Sequence, residues 1–339
     1  MASNRHSRRR TGAFRSVWVA ALLSSATILF AVATAPLAAE LAYPYKPMRL
    51  IVATSTGGPN DFLARLVTPA WGEALGRQIV IDNRAGAGGM IGTEIVARAV
   101  PDGYTLLVGF PGPLIIGPLL SDNPPYNALK DFAPVSLSVS APFVLVVHPS
   151  VAAKSMKELV ALAKARPGKL NYATGGTGTS SHMVAELFKL VAGFDMVHVP
   201  YKGAGPSLTA LLAAEVATTF VSITAGLPHV KSERLRALGV GGLQRTPLMP
   251  EVPTIKESGY AFDAASWYGV LAPQATPAAI VDKLHATLTQ VLNTPSIRAR
   301  LTEIAFDVNA SSPEQFANHL RAEHATWSKV IAAAGLRNK

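Results

Sequence analysis

Two periods recur along this chain. "MRLIVAT" at residues 48–54 is an unbroken apolar run and predicts a buried strand; "DFLARLVTPAWGEAL" behind it places Phe62, Leu63, Leu66, Val67, Ala70 and Leu75 at helical spacing. "QIVID" and "YTLLVG" predict two more strands, and "MIGTEIVARAV" the helix between them, stopped by Pro101. Strands and helices alternating at this spacing imply right-handed crossovers and a parallel sheet. The rhythm changes at residues 132–149, "FAPVSLSVSAPFVLVVHP", which reads as two strands with no helix between them. A second alternating block follows. It contains the helix "SMKELVALAKA", with Ser155 and Glu158 at capping-box spacing, the strand "LNYAT", the helix "SSHMVAELFKLVA" and the strand "MVHVPY". The helix "GPSLTALLAA" and the strands "VATTFVS" and "LRALGVGG" complete it. After "WYGVLAP" only helices remain, at 278–292, 296–304 and 313–334. The last carries an apolar stripe of Phe316, Leu320, Trp327 and Ile331 that needs a partner. Packing on the first block would return the chain to where it began. The pattern predicts an α/β chain of two lobes closing as a clamshell, each lobe a mixed, mostly parallel sheet flanked by helices. The expected lobes are residues 43–142 with 269–339, and residues 143–268.

The first 42 residues depart from this pattern. Arg5, Arg8, Arg9, Arg10 and Arg15 precede an apolar stretch at about 17–33 and then the small residues of "ATAPLAAELA". This is the pattern of a secretory signal peptide, expected at residues 1–39 with cleavage after Ala39, because cleavage after Ala35 would leave Pro36 next. The apolar run is also long enough for an uncleaved anchor, which stands as the second reading. No apolar residue follows closely on the arginine pair, which argues against twin-arginine export. The expected location is the periplasm.

Charge changes once this leader is set aside. The full chain carries +10; residues 1–39 hold five arginines and no acid, so 26 basic residues remain against 21 acidic ones. No basic run survives, so nucleic acid is not an expected partner. A mild positive surplus suits an anionic ligand. Hydrophobic residues make up 49% and charged residues 15% of the chain, which fits large buried cores. With no cysteine, disulfides, thiolate metal sites and thiol nucleophiles are excluded.

Glycine-rich turns carry the candidate chemistry. "RAGAGGMIGTEIVARA" has the look of a nucleotide loop, but its spacing is Gly86-x-Gly88-x-x-x-Gly92, and "LLVGFPG" beyond it lacks the acid a ribose would need. In "GGTGTSS" no lysine precedes the hydroxyl pair, so it is not a P-loop. Yet a helix start offers unpaired amides and a positive dipole end, and Thr177, Thr179, Ser180 and Ser181 add hydroxyls around Gly176 and Gly178. Such a turn can hold a carboxylate, and His182 could touch it. "STGGPND" repeats the arrangement after the first strand. Gly57 and Gly58 let a backbone approach a ligand, Asn60 or Asp61 can cap the helix, and Ser55 and Thr56 add hydroxyls. In "VPYKGAGP", Lys202 could attract an anion and Tyr201 could wall a pocket. Catalytic constellations are missing: there is no G-x-S-x-G elbow, and His319 and His324 are five apart on the last helix, where both read as solvent-facing. His198 reads as a satisfied strand histidine. No enzyme, metal or cofactor is expected.

The stretches "YPYKPMRLIVATSTGGPNDFLAR", "NRAGAGGMIGTEIVARAVPDGYTLL", "PYNALKDFAPV", "HVPYKGAGPSL", "VPTIKESG" and "WYGVLAP" together resemble the Bug family, the extracytoplasmic solute receptors of tripartite tricarboxylate transporters. The resemblance runs from Tyr43 to about Gly335. It implies a two-lobed, type II-like periplasmic binding protein, a monomer, that binds a small carboxylate and passes it to membrane transporter subunits or, alternatively, signals to a sensor protein. An enzyme on this scaffold is the remoter alternative. It also implies that the turns at residues 55–61 and 175–182 hold the carboxylate. Where the family often has acids near the second lobe's later strands, this chain has Ala210, Ala217 and Ser222, which disfavours an amino acid ligand. An aromatic acid would find Phe110 or Trp267 as a wall. Closure would bend the strands near Phe143 and Tyr268.

Overall fold

The structure, a computed structural model, describes residues 43–336; the leader read at residues 1–39 lies outside them. The unit beginning at Pro44 is built on one ten-stranded mixed sheet. Strands β1 (Met48–Val52), β2 (Ile79–Asn83) and β3 (Thr105–Gly109) run parallel in the order β2-β1-β3. Helix α1 (Pro59–Leu75) connects β1 to β2, with proline at its start and Gly76 closing it at φ 71°. Helix α2 (Met90–Ala97) leads to β3.

A short helix α3 (Gly117–Leu120) then precedes β4 (Phe132–Val147), one unbroken strand of 16 residues where the sequence pattern suggested two. The strand does not break; it changes partners. From Phe132 to Pro142 it pairs antiparallel with β9 (Ala265–Pro273), from Phe143 to Val147 with β7 (Thr218–Ser222), and from Val144 to Val147 also with β8 (Arg236–Val240). Pro142 has no N–H to give a ladder, and it stands where the first pairing ends. The second half-sheet holds β5 (Asn171–Thr174), parallel to β7 and to β6 (Val197–Pro200). Its helices are α4 (Met156–Ala165), α5 (Ser180–Ala192), α6 (Ala204–Leu212) and α7 (Ile223–Lys231). In α4, Glu158 N–H donates to Ser155, but the Glu158 carboxylate turns to Lys154 N–H, so the reciprocal box is left open. After β9 come α8 (Ala278–Leu292), α9 (Pro295–Glu303), β10 (Asp307–Val308) and α10 (Pro313–Ala333). A full capping box, Ser312 with Gln315, starts α10.

All four residues of the α10 stripe are buried. That helix packs on β4 but also on α5, so it braces both half-sheets instead of returning to the first alone. Among the described residues no helix is long and apolar enough to cross a membrane.

Two glycines of "RAGAGGMIG" serve packing. Gly89 lies at φ 98°, and a Cβ there would meet Ala53 O at 2.9 Å; a Cβ on Gly92 would meet Arg84 O at 2.7 Å and Ala53 Cα at 2.9 Å. The start of α2 is thereby drawn against the end of β1, and only hydrogen fits between them.

Candidate functional site

Strands β5, β6 and β7 end at one edge of the second half-sheet, and each feeds a helix, so three helix starts are brought side by side. They surround a cavity of about 440 Å³. The turn into α5 needs glycine: Gly176 is at φ 125° and Gly178 at φ 77°. It is tied to the next turn by Gly203 N–H donating to Gly175 O at 3.1 Å. No side chain caps α5 or α6, whereas Ser222 caps α7 by accepting from Ala225 N–H. Thr179, Ser180, Ser181, Ser222 and Thr224 line the cavity, and none of its lining residues is charged. Dipole ends and neutral donors of this kind are able to hold an anion without a counter-charge.

Of the residues read from sequence, Thr179, Ser180, Ser181 and Ser222 line this cavity. Gly176, Thr177 and Gly178 form the turn behind them. The first-strand turn contributes Pro59 alone, with Ser55, Thr56 and Gly57 exposed on the loop and Gly58 capping α1. Asn60 is buried with its Nδ2 unpaired. Asp61 is a structural acid. Its buried carboxylate accepts from Gly57 N–H (2.9 Å), Arg65 Nε (2.8 Å) and Asn83 Nδ2 (3.0 Å). Burial pushes its pKa up, but these bonds outweigh burial and hold it below the ordinary value.

His182 turns into the interior. It is 2% exposed, its Nδ1 accepts from Gly178 N–H at 3.1 Å, and its ring stacks on His198 at 4.0 Å. Burial first, and His198 second, push its pKa down to about 4. His198 is held by Thr174 Oγ1 at 2.6 Å. Around the pair, Glu186 accepts from the Tyr172 hydroxyl and from Lys189, which also reaches Asp195 at 2.9 Å. This cluster supports the α5 turn from behind.

The remaining candidates lie elsewhere. Tyr201 directs its hydroxyl to Glu215 at 3.5 Å, Lys202 is exposed, and Phe110 packs beside Gly89 and Gly112. Trp267 is 1% exposed, against Phe316 at 5.4 Å, with its Nε1 donating to Glu323 at 3.1 Å; it does not line the cavity at the helix starts but borders another, beside His319 and Glu323. His319 is not solvent-facing either, since its ring packs on Trp267 at 5.3 Å and its Nε2 is buried. Beside the three helix starts the cavity has a second wall, which the sequence reading missed, of Ser266, Tyr268 and Phe306. The signal was present in "SWYG": strand alternation puts Ser266 and Tyr268 on the face opposite Trp267. Among the described residues no group of three or more His, Cys, Asp or Glu is placed to hold a metal ion.

Comparison with known proteins agrees with this architecture. The family described as "Tripartite tricarboxylate transporter family receptor" matches residues 63–336. Protein BugT of Bordetella pertussis is 35% identical over 313 residues, covering 91% of this chain and 96% of that protein. Among solved structures, R. palustris Rpa4515 with adipate is 35% identical with a TM-score of 0.72, covering 86% of this chain and 98% of that one. MatC from Rhodopseudomonas palustris with bound malate is 32% identical with a TM-score of 0.69, covering 85% of this chain and 100% of that one. With the family matched over most of its length and the two-lobed α/β fold of periplasmic binding proteins in place, this chain belongs to the tripartite tricarboxylate transporter receptor family.

Proposed function

We propose that this protein is a periplasmic receptor that captures one small carboxylate in the cavity at the starts of α5, α6 and α7. The observation that carries the reading is the convergence of three helix N-termini on a hollow with no charged lining residue. An ionised carboxylate is stabilised there by amides, hydroxyls and aligned dipoles. Arginine or lysine is not required. The adipate and malate held by two relatives support the ligand class.

The hands of the clamshell are residues 43–142 with 269–339, and residues 143–268. The partner switch of β4 at Pro142–Phe143 supports a hinge there and near Tyr268. Closure brings the Ser55–Asp61 turn toward the α5 turn, with Pro59 already at the cavity. The ligand thereby stabilises the closed form, and the closed surface is what membrane subunits of a tripartite tricarboxylate-type transporter recognise. Residues 1–39 direct export and are removed. The protein binds and releases its ligand unchanged.

A thermal-shift screen against a panel of mono-, di- and tricarboxylates tests this. An acid at 100 times its Kd adds about 2.7 kcal/mol of stability. If no acid raises the melting temperature, the carboxylate reading fails; if the protein turns over any of them, the receptor reading fails.

A further inference from the structure

The cavity's second wall carries a polar group that the helix starts do not explain. Tyr268 is 7% exposed and lines the cavity from β9. Its oxygen is already used as an acceptor, receiving Ser266 Oγ–H at 3.2 Å. The phenol proton therefore remains to be given. Phe306 stacks on the ring at 5.3 Å and an interplanar angle of 25°, which holds the plane of the ring. In the sheet, β9 and β7 flank β4 on opposite sides. Tyr268 and the α7 start thus stand on opposite sides of that strand, facing one hollow. Trp267, one residue away, points into the core, so this orientation follows from the strand pleat.

A donor that lines a cavity is satisfied by solvent or by a ligand oxygen, and an alkyl group put in that place leaves it unpaired at a cost. We propose that Tyr268 selects the ligand: its hydroxyl donates to an oxygen at the end of the molecule remote from the carboxylate held at the helix starts. This inference rests on the carboxylate reading above. The ligand class is then an acid with a distal oxygen acceptor (a carbonyl, hydroxyl or second carboxyl), and a plain alkyl acid of the same length is rejected. Burial pushes the phenol's pKa up, so the group stays a donor across the physiological range. Discrimination of this kind arises because a site built to hydrogen-bond a group leaves its own donor unpaired when that group is missing.

Calorimetric titration with two matched sets tests the proposal: pentanoate, 4-oxopentanoate and pentanedioate, then their six-carbon counterparts. In at least one set, the two acids with a distal oxygen should bind about tenfold more tightly than the alkyl acid. Tyr268→Phe should erase that advantage while leaving the alkyl acid's Kd within about twofold. Ser266→Ala, which frees the phenol to rotate, should reduce the advantage by roughly threefold and serves if the phenylalanine variant folds poorly. Equal binding of alkyl and oxygenated acids overturns the proposal. So does a Tyr268→Phe variant that weakens every acid alike or none. If no acid binds the unaltered protein, the carboxylate reading itself has failed and this inference falls with it.

Discussion

The imidazole of His182 accepts a hydrogen bond from the backbone amide of Gly178, at 3.1 Å, from inside the protein. The amide belongs to the turn that starts α5, and the ring beneath it is stacked on His198. The turn at the cavity is thus held by a histidine that is neutral at the accepting nitrogen.

This fixes a pH dependence. The folded-state pKa of His182 is pushed down to about 4 from its ordinary 6.5. In between, the unfolded chain binds the proton and the folded chain does not. Stability therefore falls as pH drops from about 6.5 to 4, by roughly 2–3 kcal/mol at pH 4.5. His198, also lowered by burial, adds in the same direction. Urea unfolding at pH 7.5 and 4.5 measures the loss. In His182→Gln, which keeps an acceptor for Gly178, most of it should vanish; an unchanged pH slope would place the titration elsewhere.

Asp61 secures the first-strand turn through three donors on three segments of that lobe. Asp61→Ala removes the acceptor of the Gly57 amide and of Arg65 and leaves Asn83 Nδ2 only Thr54 O, and should cost roughly 2–3 kcal/mol in chemical denaturation. A variant as stable as the parent would show that the network contributes nothing.

Gly205 offers a way to fill the cavity without disturbing the fold. It lines the hollow near the start of α6, and a Cβ there meets nothing within 4 Å. Gly205→Trp should melt within about 3 °C of the parent, because its Cβ enters open space and the backbone need not move. It should also lose any stabilisation by carboxylates. Retained ligand stabilisation would move the site out of this cavity.

Glu323 joins two buried indoles, accepting from Trp267 Nε1 at 3.1 Å and Trp327 Nε1 at 2.8 Å. Glu323→Ala orphans both donors and should cost roughly 2–4 kcal/mol, with a changed near-ultraviolet dichroism of the tryptophans. Glu323→Gln keeps an acceptor oxygen and should lose less. Equal effects of the two substitutions would mean that volume, not hydrogen bonding, sets the cost.

Much of the architecture is legible in the residues. The helices at 180–192 and 278–292 begin and end where the apolar period does. The α10 stripe of Phe316, Leu320, Trp327 and Ile331 announces its own burial. These are local matters of period, capping and side-chain apolarity, which the chain carries at every point. The hydroxyls at 179–181 were legible for the same reason, because a glycine turn before a helix start is a local signature.

What the sequence alone determined, then, is the inventory: which segments are strands and helices, that two α/β blocks alternate, and that helix starts rich in glycine and hydroxyls are available for an anion. What only the tertiary structure decided is which of them meet. It made one strand of "FAPVSLSVSAPFVLVV" by giving its two halves different partners, turned His182 and Trp267 into the core, and set Tyr268 opposite the helix starts. The reason is physical. A side chain's face is set by the pleat, but whether that face meets core or cavity depends on strands far apart in sequence, and no local pattern records that pairing.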